Sequence, residues 1–193
     1  MEVAAHLSEL HAHDAFHGEL SPTNVHVAPG DRAEHITVLG LAHGNTPRGA
    51  PVFPDTAAGY ASPEALLGLA PDARVDCWAF SVLLYRCTYG ELPFPLADAD
   101  GLLRSLALPI VVPDAFGAAT DALLGGFFER CFAPRFATRP SSARTIGATF
   151  LALLSEAERI SSDPFSFRVV LPRPRGAAII PISLRQQGRV SRR

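Results

Sequence analysis

The fold of this chain is decided by residues 72–89, DARVDCWAFSVLLYRCTY. Apolar side chains lie on every side of a helix built from this segment: Val75, Trp78, Phe80, Val82, Leu83, Leu84 and Tyr85. A helix that is apolar all round is typical of the middle of a core. The sequence therefore predicts one long buried helix around which the rest of the domain packs.

Helical spacing predicts five further helices, at residues 2–13, 63–69, 102–108, 120–132 and 143–159. Two short apolar segments, 25–27 and 36–39, flank a Pro29-Gly30-Asp31 turn signal and predict a small β hairpin. Residues 43–61 are rich in Gly, Pro, Thr and Ala without periodicity, which predicts a long loop. The fold class is thus mainly α, with one small hairpin.

Composition favours a globular protein, because 48% of the 193 residues are apolar and the length suits one domain. The longest apolar stretches, 81–85 and 106–112, are too short to span a membrane, so we expect a cytoplasmic protein. The three cysteines, Cys77, Cys87 and Cys131, are odd in number and lie in apolar surroundings, which favours buried thiols over disulfides or a zinc site.

Charge divides the chain into a body and a tail. Residues 164–193 carry seven arginines and no acid, whereas residues 1–163 carry ten arginines against nineteen acids. We expect a domain over 1–160 and an Arg- and Pro-rich tail of low order over 161–193. A solvated tail is the simplest interpretation, and neither nucleic acid nor membrane is expected as a partner. All seventeen basic residues are arginine, so the chain has no lysine.

Residues 17–24, HGELSPTN, resemble the protein kinase catalytic loop, a His-Arg-Asp followed after four residues by Asn. Five further segments match landmarks of that family in the same order and at similar spacing: VLGLA (38–42), SPE (62–64), DCWAF (76–80), YGELPF (89–94) and CFAPRFATRPS (131–141). The resemblance covers about residues 2–155, and the Ser21-Pro22 form of the loop is similar to certain bacterial serine/threonine kinases. It implies a kinase-like C-terminal lobe, with the N-terminal lobe absent.

The resemblance also implies roles for the structural residues. Asp76 would accept backbone N–H groups of the catalytic loop, although a helix-start carboxylate favoured by the helix dipole is a simpler interpretation. Glu64 and Arg139 would form a buried ion pair. Trp78 would lie in the core, on the central helix.

At the catalytic positions the chain departs from the family. His17 and Asn24 match, but Glu19 stands where the family has its catalytic Asp, and Gly18 replaces the arginine before it. Val38 stands where the family has the metal-binding Asp, and valine offers no oxygen to a hard cation. Without the phosphate-aligning lysine, we expect no bound cofactor and no phosphoryl transfer.

The sequence therefore predicts a pseudokinase that binds another protein, either an active kinase or a kinase substrate. The alternative is a serine/threonine kinase that uses ATP and Mg²⁺ and whose N-terminal lobe is supplied elsewhere, and a third possibility is a decaying gene product. A metal site built from His11, His13 and His17 is disfavoured, because His11 and His13 point to different sides of a helix end.

Overall fold

A computed structural model of the chain describes residues 2–28, 35–40, 59–69, 72–94 and 110–160. The described helices are α1 (Glu2–Ala12), α2 (Pro63–Leu66), α3 (Arg74–Tyr89), α4 (Ala118–Cys131) and α5 (Ala143–Ile160). Two strands, β1 (Val25–Ala28) and β2 (His35–Val38), form one small antiparallel sheet. The mainly helical fold class predicted from the sequence is confirmed.

Helix α3 lies at the centre of the core. Ten of its sixteen residues are buried, and Trp78 and Val82 are almost fully inaccessible. Aromatic rings surround it: Trp78 stacks on Phe94 at 5.7 Å and meets Phe132 edge-on at 5.0 Å. Aromatic pairs in such geometries add to the stabilisation from burial. The all-round apolar pattern of residues 72–89 thus has the predicted outcome.

The ends of the two central helices follow local chemistry. Helix α3 begins at Arg74, two residues later than predicted, where the Asp72 side chain accepts the Arg74 N–H. It ends at Tyr89 and is capped by Gly90, whose φ of 79° lies in the left-handed region that glycine tolerates best. Helix α2 is shorter than the predicted 63–69, because the chain turns at Gly68, with φ 66°. Its N-terminus is capped by the Ser62 hydroxyl.

The hairpin lies against α1 and brings two distant segments together. Val25 pairs with Val38 and Val27 with Ile36 in the antiparallel register. The Glu2 carboxylate, in the first turn of α1, accepts the Ile36 N–H at 2.6 Å. The two strands therefore place the segment after Val38 beside the loop that precedes Val25.

Helices α4 and α5 complete the core. Helix α5 presents one buried face, made of Ala143, Ile146, Gly147, Phe150, Leu154 and Ala157. Both helices agree with the predicted segments 120–132 and 143–159 to within two residues. For α5 the agreement has a simple reason: its apolar residues lie on one side, and a one-sided apolar pattern is a direct signal of a surface helix.

Some predicted features lie outside the described residues. These are the helix at 102–108, the hairpin turn at 29–31, the tail at 161–193 and most of the loop at 43–61. The division into a domain over 1–160 and a tail therefore stays a prediction. Within the described ranges, no helix is long and apolar enough to cross a membrane.

The cysteines are free thiols, as predicted. Cys77 and Cys131 are buried and Cys87 is half-buried. Burial raises the pKa of the Cys77 thiol to about 12, and that of Cys87 and Cys131 to about 11. These thiols therefore stay protonated and unreactive at neutral pH.

Candidate functional site: the loop at residues 17–24

The loop between α1 and β1 is held by the carboxylate of Asp76. One oxygen accepts the backbone N–H of His17 and the other that of Gly18, both at 2.7 Å. Asp76 is 1% exposed, so this carboxylate is stable only because its oxygens are hydrogen-bonded. Of the two interpretations left open by the sequence, the structure shows the one in which Asp76 anchors the loop.

Gly18 allows the loop to reach that carboxylate. Its φ is 82°, in the left-handed region where a side chain on an L-residue is strained. In this conformation the Gly18 N–H faces the Asp76 carboxylate. Glycine at position 18 therefore fits the backbone that the loop adopts.

His17 ties the loop to the segment after β2. Its Nε2–H donates to the carbonyl of Leu39 at 3.0 Å, and its Nδ1 accepts the N–H of Glu19 at 3.2 Å. A neutral imidazole with its proton on Nε2 satisfies both bonds. Since His17 is 1% exposed, its ring is a fixed structural support for the loop.

Asn24 and Glu19 are also joined, through the main chain. The Asn24 Nδ2 donates to the carbonyl of Glu19 at 2.8 Å, and the Asn24 carbonyl accepts the Leu39 N–H at 2.8 Å. The Glu19 side chain is exposed to solvent. The loop thus presents a free carboxylate at its surface while its backbone is fixed on both sides.

Val38 and Gly40 lie beside Asn24. Val38 is half-buried and packs against the core cluster, opposite Val25 in the sheet register. A Cβ placed on Gly40 would lie 3.9 Å from Oδ1 of Asn24, so the backbone passes close to this amide. The structure therefore brings together Glu19, Asn24, Val38 and Gly40, with an apolar side chain at position 38.

Glu64 and Arg139, 75 residues apart, meet in a buried ion pair. The Arg139 Nη1 donates to both carboxylate oxygens of Glu64 at 2.9 Å, and its Nε donates to the Ala133 carbonyl at 2.7 Å. The guanidinium lies 4.6 Å from the ring of Trp78. Glu64 is 8% exposed and Arg139 is 7% exposed, and charged residues are seldom so deeply buried unless they are paired. This ion pair ties α2 to the turn before α5.

Comparison with known proteins agrees with the resemblance seen in the sequence. The chain is 31% identical over 202 residues to "Serine/threonine-protein kinase pkn3" of Myxococcus xanthus, an alignment covering 94% of this chain and 36% of that protein. The chain belongs to the protein-kinase-like family.

This kinase-like chain also has eukaryotic relatives. It is 33% identical over 135 residues to "Serine/threonine-protein kinase YPK1" of Saccharomyces cerevisiae, covering 67% of this chain and 19% of that protein. It is 29% identical over 135 residues to "Serine/threonine-protein kinase GRIK1" of Arabidopsis thaliana, covering 65% and 32%. The chain spans about a third or less of the length of most of these relatives. No family model matches it.

A residue of α1 that helps to hold the anchor of this loop was not foreseen from the sequence. His11, considered only as a metal ligand, donates its Nε2–H to Asp76 at 2.9 Å. The signal was present, because Ala4, Leu7 and His11 recur on one face of α1 and the first two are buried. His13 instead bonds the Glu9 carbonyl, and no described group of three His, Cys, Asp or Glu residues is arranged to hold a metal.

Proposed function

We propose that this kinase-like chain is catalytically inactive, a pseudokinase, and acts as a protein-binding or regulatory module. The observation that carries the proposal is the apolar Val38, at the position where the family has a metal-binding carboxylate; it precedes Leu39, whose N–H bonds the backbone carbonyl of Asn24. Magnesium in phosphoryl-transfer sites is held by carboxylate and amide oxygens together with substrate phosphates. The groups around Asn24 therefore do not fit that ion.

The neighbouring groups cannot replace the missing ligand. Asn24 contributes one neutral amide oxygen, and its nitrogen is engaged by the Glu19 carbonyl. Glu19 stands at the position of the family's catalytic base, not of its metal ligand. Its side chain is one methylene longer than that of Asp, and a displacement of about 1 Å can reduce the rate of catalysis by roughly a hundredfold. No lysine occurs in the sequence to align phosphates.

Support for protein binding comes from the surface around α2. Leu67 and Leu69, just after this helix, are 55% and 56% exposed. Neighbouring exposed apolar residues are typical of protein interaction sites. The partner that we propose is another kinase or a kinase substrate, met in the cytoplasm.

The second candidate is a serine/threonine kinase that uses ATP and Mg²⁺. One observation favours it: Asn24 holds the backbone of Glu19 so that a carboxylate, which can accept a proton, is presented to solvent. The matched relatives are also named as kinases.

Thermal unfolding with Mg·ATP separates the two candidates. A ligand at a hundred times its dissociation constant stabilises the folded state by about 2.7 kcal/mol. For a chain of this size that corresponds to a rise in Tm of about 5–10 °C. We expect no rise at millimolar Mg·ATP and no phosphate transferred to a generic protein substrate.

The matched variant is Val38→Asp, which restores a carboxylate at this position. Because the chain still has no lysine, we expect the variant to remain inactive in the transfer assay. A clear rise in Tm for the unmodified chain, or phosphate transfer that Val38→Asp enhances, would favour the kinase instead.

A further inference from the structure

Two exposed leucines follow the short helix α2. Leu67 is 55% and Leu69 is 56% exposed, although Pro63 and Glu64, just before them, are buried. The Leu69 N–H donates to the Glu64 carbonyl at 2.9 Å, and Gly68, with φ 66°, allows the turn between them. The two apolar side chains are therefore presented to solvent by a hydrogen-bonded backbone.

Exposed arginines lie around the connection between α4 and α5. Residues 130–155 contain four arginines and no acid. One of the four, Arg139, is neutralised by Glu64, whereas Arg135 in the connection and Arg144 in the first turn of α5 are exposed. Within the described ranges no carboxylate lies within ion-pair distance of either exposed arginine. This part of the surface is therefore positive, on a body whose acids outnumber its arginines.

The leucines and the arginines are joined by direct contacts. Glu64, whose carbonyl holds the Leu69 N–H, accepts two hydrogen bonds from Nη1 of Arg139 at 2.9 Å. The ring of Phe136, the residue after Arg135, lies 5.8 Å from the Arg139 guanidinium. The buried ion pair thus lies beneath both groups, and the exposed side chains of Leu69 and Arg135 belong to neighbouring stretches of one surface.

Arg74 and Phe136 lie between the two groups. The Arg74 guanidinium is 3.6 Å from the centre of the Phe136 ring, and its Nη2 donates to Asp72 at 2.7 Å. Because Asp72 neutralises Arg74, the positive charge of this area remains on the arginines that follow α4. Together these residues form a leucine–arginine surface, which consists of Leu67, Leu69, Arg74, Arg135, Phe136 and Arg144.

We propose that the leucine–arginine surface binds an acidic segment of a partner protein. Apolar side chains of the segment pack on Leu67 and Leu69, and its carboxylates pair with Arg135 and Arg144. Exposed apolar groups rimmed by polar residues are typical of protein interaction sites, and a carboxylate matches the donors of a guanidinium. This inference rests on the proposed binding function and names the chemistry of its partner.

A large polyanion fits this surface less well than a short acidic segment does. Residues 1–163 carry nineteen acids against ten arginines, so the rest of the domain repels an extended negative surface such as a nucleic acid or an anionic membrane. A short segment avoids that repulsion, because charges more than about 8 Å apart are largely screened at physiological salt. A phosphate backbone also offers no aliphatic groups to the two leucines.

The test selects binders of the full chain from a random peptide library displayed on phage. Peptides of about twelve residues reach roughly 40 Å when extended, which is long enough to cover the surface. We expect the selected peptides to be enriched in Asp and Glu together with Leu, Ile or Phe. One selected peptide is then titrated into the ¹⁵N-labelled full chain at physiological salt. It should shift the amide signals of Leu67 and Leu69 and the Nε–H signal of Arg135, which separates this binding from binding to the arginine-rich tail.

Substitutions on the surface locate the binding. Leu67→Gln and Arg135→Glu should each weaken binding of the selected peptide by at least about tenfold, and both should stay folded because the replaced side chains are exposed. Arg135→Lys keeps the charge and should weaken binding less than Arg135→Glu. The matched controls are Leu151→Gln and Arg159→Gln, which change an exposed leucine and an exposed arginine of α5 outside this surface. Arg159 lies about 22 Å along the helix from Arg144, so both controls should bind the peptide as the unmodified chain does.

Four outcomes would overturn the inference. Three concern the peptides: selected peptides without an excess of acidic residues, an affinity that is unchanged in Leu67→Gln and Arg135→Glu, and a selection that yields no binder. The fourth is binding of phosphatidylserine vesicles or of RNA that these two substitutions weaken, which would assign the surface to a membrane or a nucleic acid. None of them alters the result with Mg·ATP, so failure of this inference is distinguishable from failure of the proposed function.

Discussion

Replacing Glu64 by glutamine removes the negative charge of the buried pair while keeping the shape of the side chain. Arg139 is left as a buried cation, since its other described partners are the carbonyls of Ala133 and Pro134 and the rings of Trp78 and Phe136. Breaking a buried ion pair by removing one partner costs about 3–5 kcal/mol. Those remaining partners keep the expected loss for Glu64→Gln near the lower end, about 3 kcal/mol.

Such a loss is large against the whole stability of a domain, which is about 5–15 kcal/mol. It should lower the urea midpoint without changing the slope of the transition. In a double-mutant cycle, Arg139→Met should be destabilising alone and much less so when combined with Glu64→Gln, because the double variant has no unpaired charge.

The matched control is Glu156→Gln on α5, the same substitution in an exposed pair. Arg159, its partner at 2.6 Å, is 77% exposed. Exposed pairs contribute about 0–1 kcal/mol, so this variant should unfold almost as the unmodified chain does. A loss below about 1 kcal/mol for Glu64→Gln, or additive effects in the cycle, would refute the view that this pair ties α2 to the turn before α5.

Three other predictions concern the loop and the core. Asp76→Asn replaces an acceptor of two backbone N–H groups and should lower the free energy of unfolding in urea by about 3 kcal/mol. Its control, Asp72→Asn, changes a more exposed carboxylate and should lower it by under about 1 kcal/mol. Equal losses of stability in the two variants would contradict the anchoring role of Asp76. Gly18→Ala, at φ 82°, should cost about 1–2 kcal/mol by the same measurement, and a neutral result would show that the loop relaxes. Burial raises the pKa of the Cys77 thiol from 9.0 to about 12, so the contribution of this buried thiol to stability is present below pH 9 and is lost as pH rises towards 12. The free energy of unfolding should therefore fall less over that pH range in Cys77→Ala than in the unmodified chain. Identical pH profiles of stability for the two proteins would argue against this role of Cys77.

The sequence alone was enough for the elements whose signal is local. The all-round apolar pattern of residues 72–89 predicted the central helix, and the single stripe of residues 143–159 predicted α5. The family motifs also led to the pair of Glu64 with Arg139, although these residues are 75 positions apart. Helix ends were less well predicted, because Asp72 and Gly68 act through side-chain and backbone geometry that periodicity does not contain.

What only the tertiary structure decided is which polar groups meet across the chain. His11 bonds Asp76 over 65 residues, and Arg86 bonds Tyr60 over 26. Periodicity can place each of these residues on a helix face, but a face has many neighbours and the partner depends on how helices and loops pack. Apolar burial is non-directional, so the sequence could determine which segments are buried; a hydrogen bond requires two particular atoms about 3 Å apart, which only the packed fold specifies.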